Sequence, residues 1–404
     1  MRLAPVWAAA AVLLVVLLGA PPDARASSVF SVGGLGEPSL EENARLRALG
    51  GAGVAEFGPA SFSLVNPASI AEARFLALEA TMLATRRSIS TSSYGSESAY
   101  ETSFPSIRLV IRMPLDIGLG GSYMAGTNGD FEVVRPESSG APSFLHIEGT
   151  GGLSFARVTL ARRLTSRLRA GVDFDVVAGS YREEWIRSFG SSTLAQSRDT
   201  LETSWERLGR WRFGLQYGRE RFSVGAVYET ERKIGTTYEQ QAAGSLVRTT
   251  GTLTYPSGFA AGFSLSLGDR ARFVGQYRRR NWNNDSVVSD LVDFRAEERY
   301  SLGYEKQPLG VGSILNKMPI RLGVTYLCWP DLLPRAGAVD VTGGVAHLDE
   351  WAVSLGTGIR TPDRSGTVDV SLDGGQRGDE TELGARETFF RIAISVKVSD
   401  ETWR

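Results

Sequence analysis

The sequence predicts an all-β fold: a 14-stranded antiparallel transmembrane β-barrel with an N-terminal hatch in its lumen. Three observations predict it. From residue 75 onward, strand-length runs alternate apolar and polar residues. The connections between those runs alternate short and long. After residue 26 no run of about 18 apolar residues occurs, so the chain has no membrane-spanning helix and a barrel is the remaining way to cross a bilayer. The chain divides into a signal peptide (1–26), a lead and hatch (27–74) and the barrel (75–404).

The signal peptide starts with Arg2, continues through the apolar stretch Ala8–Ala20, and ends at the small-x-small site Ala24-Arg25-Ala26, which puts the mature start at Ser27. The lead, Ser27 to Asn43, holds Gly33-Gly34-Leu35-Gly36 and Pro38, which argue against regular structure; it is expected in the periplasm or the lower lumen. The stretch Arg45 to Ala73 is rich in Gly, Ala and Ser and too apolar for a loose linker. Pro67 has no N–H to give a sheet and disfavours helix at Asn66, so the segment reads as a compact plug inside a closed sheet.

Strands are expected near 75–85, 106–113, 116–126, 151–162, 166–181, 209–217, 221–233, 258–267, 271–282, 297–305, 319–327, 350–359, 366–373 and 388–399. Ile107, Leu109, Ile111 and Met113 share one face, and Arg108 and Arg112 the other. Trp211, Phe213, Leu215 and Tyr217 oppose Arg210, Arg212, Gly214 and Gln216, and Ile320, Leu322, Val324 and Tyr326 oppose Arg321, Gly323 and Thr325. A period of two with an apolar face toward lipid and a polar face toward a lumen is the membrane-barrel pattern. The connections MPLD, RLTS, GRE, GDR and TPDRS are short, whereas 86–105, 127–150, 182–208, 234–257, 283–296, 328–349 and 374–387 are long. Short periplasmic turns and long outer loops account for this, with 306–318 as the one exception. A propeller would repeat every 40–50 residues or so, and no such repeat is found.

Leu49-Gly50-Gly51-Ala52-Gly53-Val54-Ala55 followed by Asn66-Pro67-Ala68 resembles the N-terminal signature of the outer-membrane long-chain fatty-acid transporter family. The C-terminal run Gly375-Gln376-Arg377-Gly378, Glu387 and Phe389 to Val398 is similar to the last hairpin of a branch of that family, which includes barrels associated with type IX secretion. The resemblance implies a bacterial outer-membrane location and a hatch inside a 14-stranded barrel. It also implies passive uptake of hydrophobic molecules such as long-chain fatty acids, with release through a lateral gap at a kink in the third strand. The alternative it carries is a non-transporting barrel that serves as a secretion or surface-attachment partner.

Gly118, Gly120 and Gly121 in the third strand are the lateral-gate candidates; they either mark that kink or let the hatch pack against the wall. Phe30, Phe57 and Phe62 either touch an alkyl chain beside Asn66 and Pro67 or serve as plug-to-wall packing. Trp185 and Phe189, in the 182–208 connection, either form an outer capture patch or hold that loop down as a lid. The expected partners are hydrophobic, fatty-acid-like small molecules, outer-membrane lipid and the barrel assembly machinery that recognises a C-terminal strand. A net charge of −1 suggests no nucleic acid. No enzyme and no cofactor are expected: two histidines without a G-x-S-x-G elbow make no catalytic constellation, and a single cysteine, Cys328, excludes cysteine-based metal spacing and an internal disulfide framework.

Overall fold

The computed structural model describes residues 28–31, 36–39, 42–57, 63–73, 76–91, 95–137, 143–189, 197–242, 244–283, 293–308, 318–334, 345–361 and 365–400; the expected signal peptide lies outside them. The chain forms a closed antiparallel barrel of 14 strands. In order these are β1 (Leu76–Thr91), β2 (Gly95–Met113), β3 (Ile117–Ala125, resuming as Phe131–Glu137), β4 (Ser143–Arg163) and β5 (Leu168–Phe189). They continue with β6 (Ser197–Arg219), β7 (Phe222–Glu229, then Arg232–Ala242), β8 (Ser245–Tyr255, then Gly258–Leu267) and β9 (Ala271–Arg280). The last five are β10 (Asp293–Phe294, then Glu297–Lys306), β11 (Ile320–Pro334), β12 (Val345–Arg360), β13 (Gly366–Arg377) and β14 (Ala385–Asp400). The β1–β14 ladder closes the sheet, running from Leu76 opposite Asp400 to Thr91 opposite Ala385.

The alternation decides which face meets which medium. On β6, Trp211, Phe213, Leu215 and Tyr217 point outward and are 41, 49, 53 and 40 % exposed, while Arg210, Arg212 and Gln216 point inward and are at most 1 % exposed. The same division holds on β11, with Ile320, Leu322, Val324 and Tyr326 outside and Arg321 buried inside. An apolar exterior on a barrel closed by the β1–β14 ladder suits lipid and not water. The protein is placed in the bacterial outer membrane.

The long connections are the main difference from expectation. Most of their residues are strand: β1 and β2 extend to Thr91 and Gly95, β5 and β6 to Phe189 and Ser197, and β7 and β8 meet in a ribbon at Ala242 opposite Ser245. The reason is physical. Residues such as 86–103 carry mostly polar side chains on both faces, so they show no apolar alternation while the ladder between neighbours carries on.

Candidate functional site

The hatch is built from two capped turns. Asn43 caps the short helix Ala44–Arg47, its Oδ1 accepting from the Leu46 N–H at 3.0 Å. Asn66 caps the 3-10 turn Pro67–Glu72, with Oδ1 accepting from the Ala68 N–H at 3.0 Å. The Asn66 Nδ2 donates to the Val54 carbonyl at 2.8 Å and to the Leu215 carbonyl of the wall at 3.2 Å. Asn66 is fully buried, and all of these partners are protein. The wall makes room for the turn through a cross-strand glycine pair, Gly171 opposite Gly214. A Cβ at Gly171 would stand 2.5 Å from the Pro67 carbonyl carbon, and one at Gly214 2.2 Å from the Asn66 Oδ1.

Lumen side chains then tie the hatch backbone to the wall. Gln276 Oε1 accepts from the Gly53 and Val54 N–H groups at 2.8 and 3.0 Å. Gln216 Nε2 donates to the Val54 and Glu56 carbonyls at 3.0 Å each, and Ser223 Oγ donates to the Ala55 carbonyl at 2.7 Å. Arg157 donates to the Leu64 carbonyl at 3.0 Å and pairs with Asp175. Around Asp175 and Glu229 stand Arg157, Arg210 and Arg280, and Arg280 also meets Glu297 at 3.6 Å, so each of these buried charges has a partner of opposite sign.

The lead does not lie low in the lumen. Phe30 packs with Leu327, Trp329 and Leu348 near the outer ends of β11 and β12, and Val29 N–H donates to Glu387 at 2.9 Å. Glu37 sits among three guanidinium groups, with Arg377 at 2.7 Å, Arg391 at 3.0 Å and Arg87 at 2.5 Å. Burial works to raise its pKa, and the three arginines more than offset that, holding the carboxyl far below the ordinary glutamate range.

Beside Glu37 the wall is interrupted. β3 pairs with β4 up to Ala125 opposite Ser154, and again from Phe131 opposite Gly149. Residues 126–130 bulge from the ladder between these two stretches but stay bonded to β4, Gly126 N–H donating to the Leu153 carbonyl and Gly129 N–H to the Gly151 carbonyl at 2.7 Å each, so the gap lies on the side toward β2. Thr127 and Asn128 pair instead with Pro38 and Glu37 of the lead, and Ser39 N–H donates to the Gly126 carbonyl at 3.0 Å. β2 pairs with β3 only from Ser106 to Met113. Among the described residues, 95–105 of β2 and 131–137 of β3 therefore have no ladder to each other. A cavity of about 260 Å³ lies behind this break, lined by Ser103, Phe104, Pro105, Ala125, Thr127, Asn128, Leu83 and a polar floor of Glu37, Arg47, Arg87, Glu101, Glu350 and Arg391.

Above the hatch the inward face changes character. Leu64 of the hatch, Met124 and Phe131 from the two sides of the break, and Leu153 and Phe155 of β4 belong to one buried apolar cluster. Tyr255, Trp282 and Phe294 complete it through ring contacts of 5.8 Å (Phe155–Tyr255), 5.2 Å (Tyr255–Trp282) and 6.1 Å (Trp282–Phe294).

The structure does not gather the expected site residues into one place. Phe30 is near the outer ends of β11 and β12, while Phe57 lies under the Arg169 guanidinium, 3.3 Å from the ring centroid, in a recess left by Gly218 near the β6–β7 turn. Asn66 and Pro67 are spent on seating the hatch. Phe62 and the side chain of Phe189 lie outside the described residues. Trp185 belongs to β5 rather than to a loop; it packs against the apolar cluster, and its Nε1 donates to Glu183 at 3.1 Å. Gly118, Gly120 and Gly121 lie in a stretch paired on both sides, Gly118 and Gly120 facing Ile70 of the hatch, so the interruption falls higher, at 126–130. The signal for it was present: Gly126-Thr127-Asn128-Gly129-Asp130 is a cluster of turn residues where the expected strand 116–126 meets the expected outer connection 127–150.

Fold and site together define an outer-membrane barrel whose lumen is occupied by its own N-terminal hatch. The chain belongs to the BamG family, whose model matches residues 7–404. Among solved structures it is similar to a FadL homologue of Pseudomonas aeruginosa, with 12 % identity, 91 % of this chain and 100 % of that chain covered, and a TM-score of 0.61. It is also similar to the toluene transporter TodX of Pseudomonas putida (14 %, 90 and 99 %, 0.58) and the toluene transporter TbuX of Ralstonia pickettii (15 %, 89 and 99 %, 0.57). No curated protein matches it.

Proposed function

We propose that the barrel passes small hydrophobic molecules from the outer lumen sideways into the bilayer through the break in β3. The observation that carries the reading is the apolar cluster, which reaches from the hatch at Leu64 to both edges of the break at Met124 and Phe131. Burial of alkyl or aryl surface there contributes about 25 cal/mol per Å² of apolar area, enough to draw such a molecule out of water and weak enough for a small one to leave again. TodX and TbuX, similar in fold, are described as toluene transporters. Long-chain fatty acids are the finer form of the reading, with the cavity behind residues 103–105 taking the polar end of such a chain.

A second reading, a partner barrel that transports nothing, is favoured by one observation: the hatch and its ion pairs fill the inner lumen, and the cavity at the break has a charged floor. One experiment separates the two. Protein carrying Ser103→Cys and Asn128→Cys in a Cys328→Ser background is reconstituted in vesicles, and entry of toluene and of a long-chain fatty acid is followed before and after bridging with a short, reducible crosslinker. Passage predicts uptake above that of empty vesicles, lost on bridging and restored by reduction. Uptake equal to empty vesicles before any bridging rules out passage and leaves the partner role.

A further inference from the structure

We propose that the exposed arginines on the β4–β5 and β6–β7 turns bind the phosphate groups of anionic phospholipid in the periplasmic leaflet of the membrane. Such a site does not depend on passage of any molecule through the barrel.

The short turns of an outer-membrane barrel lie at its periplasmic end. At that end Arg162 and Arg163 close β4, Arg167 precedes β5, and Arg219 and Arg221 flank the turn from β6 to β7. All five are exposed. Backbone hydrogen bonds join the turns into one row. Gly218 N–H donates to the Arg167 carbonyl and Ser266 N–H to the Arg221 carbonyl, at 2.8 Å each, and Gln307 N–H donates to the Arg270 carbonyl at 2.7 Å. Arg270 and Lys306, also exposed, extend the row along the β8–β9 turn to the end of β10.

Few acids stand against these cations. Asp116 is shared by Arg163 at 2.9 Å and Arg112 at 3.4 Å. Glu220 and Asp269 are the other exposed acids on these turns. The side chains of Arg162, Arg167, Arg219, Arg221, Arg270 and Lys306 have no ion-pair partner among the described residues. The chain has no further acid to bring to them from nearby: residues 58–62, which continue from Phe57 beside Gly218, and residues 309–317 after β10 contain none. The opposite ends of neighbouring strands have the other sign, with Glu132, Glu148 and Glu184 in one cross-strand row on β3, β4 and β5. The positive charge is therefore confined to one end of the wall and left uncompensated there.

The strand alternation decides what meets them. On β6 the lipid-facing Leu215 and Tyr217 are followed on the same face by Arg219; on β4 Val158 and Leu160 are followed by Arg162; on β10 Leu302 and Tyr304 are followed by Lys306. Each cation stands two residues, about 7 Å, beyond the last apolar lipid-facing side chain. That is where hydrocarbon gives way to headgroups, and a long basic side chain can lay its stem on the apolar wall and its charge among phosphates. An acidic protein arriving from the periplasm would meet the turn tips at Arg167 and Arg221. It would not meet Arg162, Arg219 and Lys306, which point outward to the lipid that surrounds the wall. Phospholipid headgroups reach both sets.

The test uses full-length protein reconstituted in phosphatidylcholine bilayers, with a trace of spin-labelled phosphatidylglycerol or spin-labelled phosphatidylcholine. Electron paramagnetic resonance gives the fraction of each label held at the barrel surface. One cation beside a headgroup is worth about fivefold in association, and only part of the surface carries cations, so an average preference of roughly twofold for phosphatidylglycerol is expected. It should vanish in about 1 M salt, where charges are screened within ~3 Å. It should also vanish in the combined variant Arg162→Gln, Arg219→Gln and Arg221→Gln, and persist with lysine at the same three positions, since charge is what the site requires. Equal holding of the two labels by the unaltered protein overturns the proposal, as does a preference that survives the glutamine variant or disappears with lysine. Saturable binding of a decaglutamate peptide that the glutamine variant loses, without any lipid preference, overturns it in favour of an acidic protein partner.

Discussion

Asn66 concentrates at one residue what the hatch requires of its sequence. Three hydrogen bonds leave its side chain, one to its own turn, one to the hatch and one to the wall, and the residue is fully buried. Removing the amide leaves buried donors and acceptors unpaired, each costing roughly 1–3 kcal/mol. Asn66→Ala is therefore expected to destabilise the protein by about 2–4 kcal/mol in guanidinium unfolding in micelles, by the same reasoning. The glycine pair facing it makes a second prediction. With 2.5 Å between a Gly171 Cβ and the Pro67 carbonyl carbon, Gly171→Val should displace the hatch while the barrel still closes. Limited proteolysis would then cut within 45–73 in the folded variant and not in the unaltered protein. Resistance equal to that of the unaltered protein would show that the wall gives way instead.

At the scale of elements, the lead and the β3 break form one unit, because the strand pairing missing from the wall reappears between Glu37–Pro38 and Thr127–Asn128. The Glu37 cage anchors it, and the depressed pKa of Glu37 gives the pH dependence its sign. A carboxyl whose folded pKa lies below its ordinary value of 4.5 contributes stability that is fully present above 4.5 and is lost only as pH falls through the folded value. The Glu37 contribution to docking should persist between pH 7 and 5 and be lost only in acid, whereas Glu37→Gln should loosen the lead at pH 7. Arg377 lies 4.8 Å over the Trp329 ring, so tryptophan emission reports the change. An emission change already complete at pH 5 in the unaltered protein would assign the anchor to other groups.

For the molecule as a whole, closure and the two-faced wall govern stability. Leu215 is 53 % exposed and faces lipid, next to Gln216, which is 1 % exposed and holds the hatch. Leu215→Arg should cost about 2–4 kcal/mol if the position lies near the bilayer midplane, and less toward the interfaces. Gln216→Leu should leave the barrel's unfolding free energy nearer its original value and act mainly on hatch protection, read by hydrogen exchange at the Val54 and Glu56 region. Equal effects of the two substitutions on barrel unfolding would contradict a wall whose two faces serve different media.

The sequence by itself determined the barrel, its strand count and the segment that fills it, because a period of two needs only neighbours along the chain to be read and small residues around Asn66-Pro67 signal close packing wherever they dock. The tertiary structure alone decided three things. Most of the described residues of the expected outer loops proved to be strand, since a stretch such as 86–103 is mostly polar on both faces and loses the alternation that marks a strand while its cross-strand ladder persists. The interruption in β3 fell at 126–130 rather than at Gly118–Gly121, because the lead competes for the backbone groups of Thr127 and Asn128. Glu37, Arg87 and the last-hairpin residues Arg377 and Arg391 came together from three distant parts of the chain. No spacing rule reaches across 300 residues or more; only closing the sheet on itself makes those side chains neighbours.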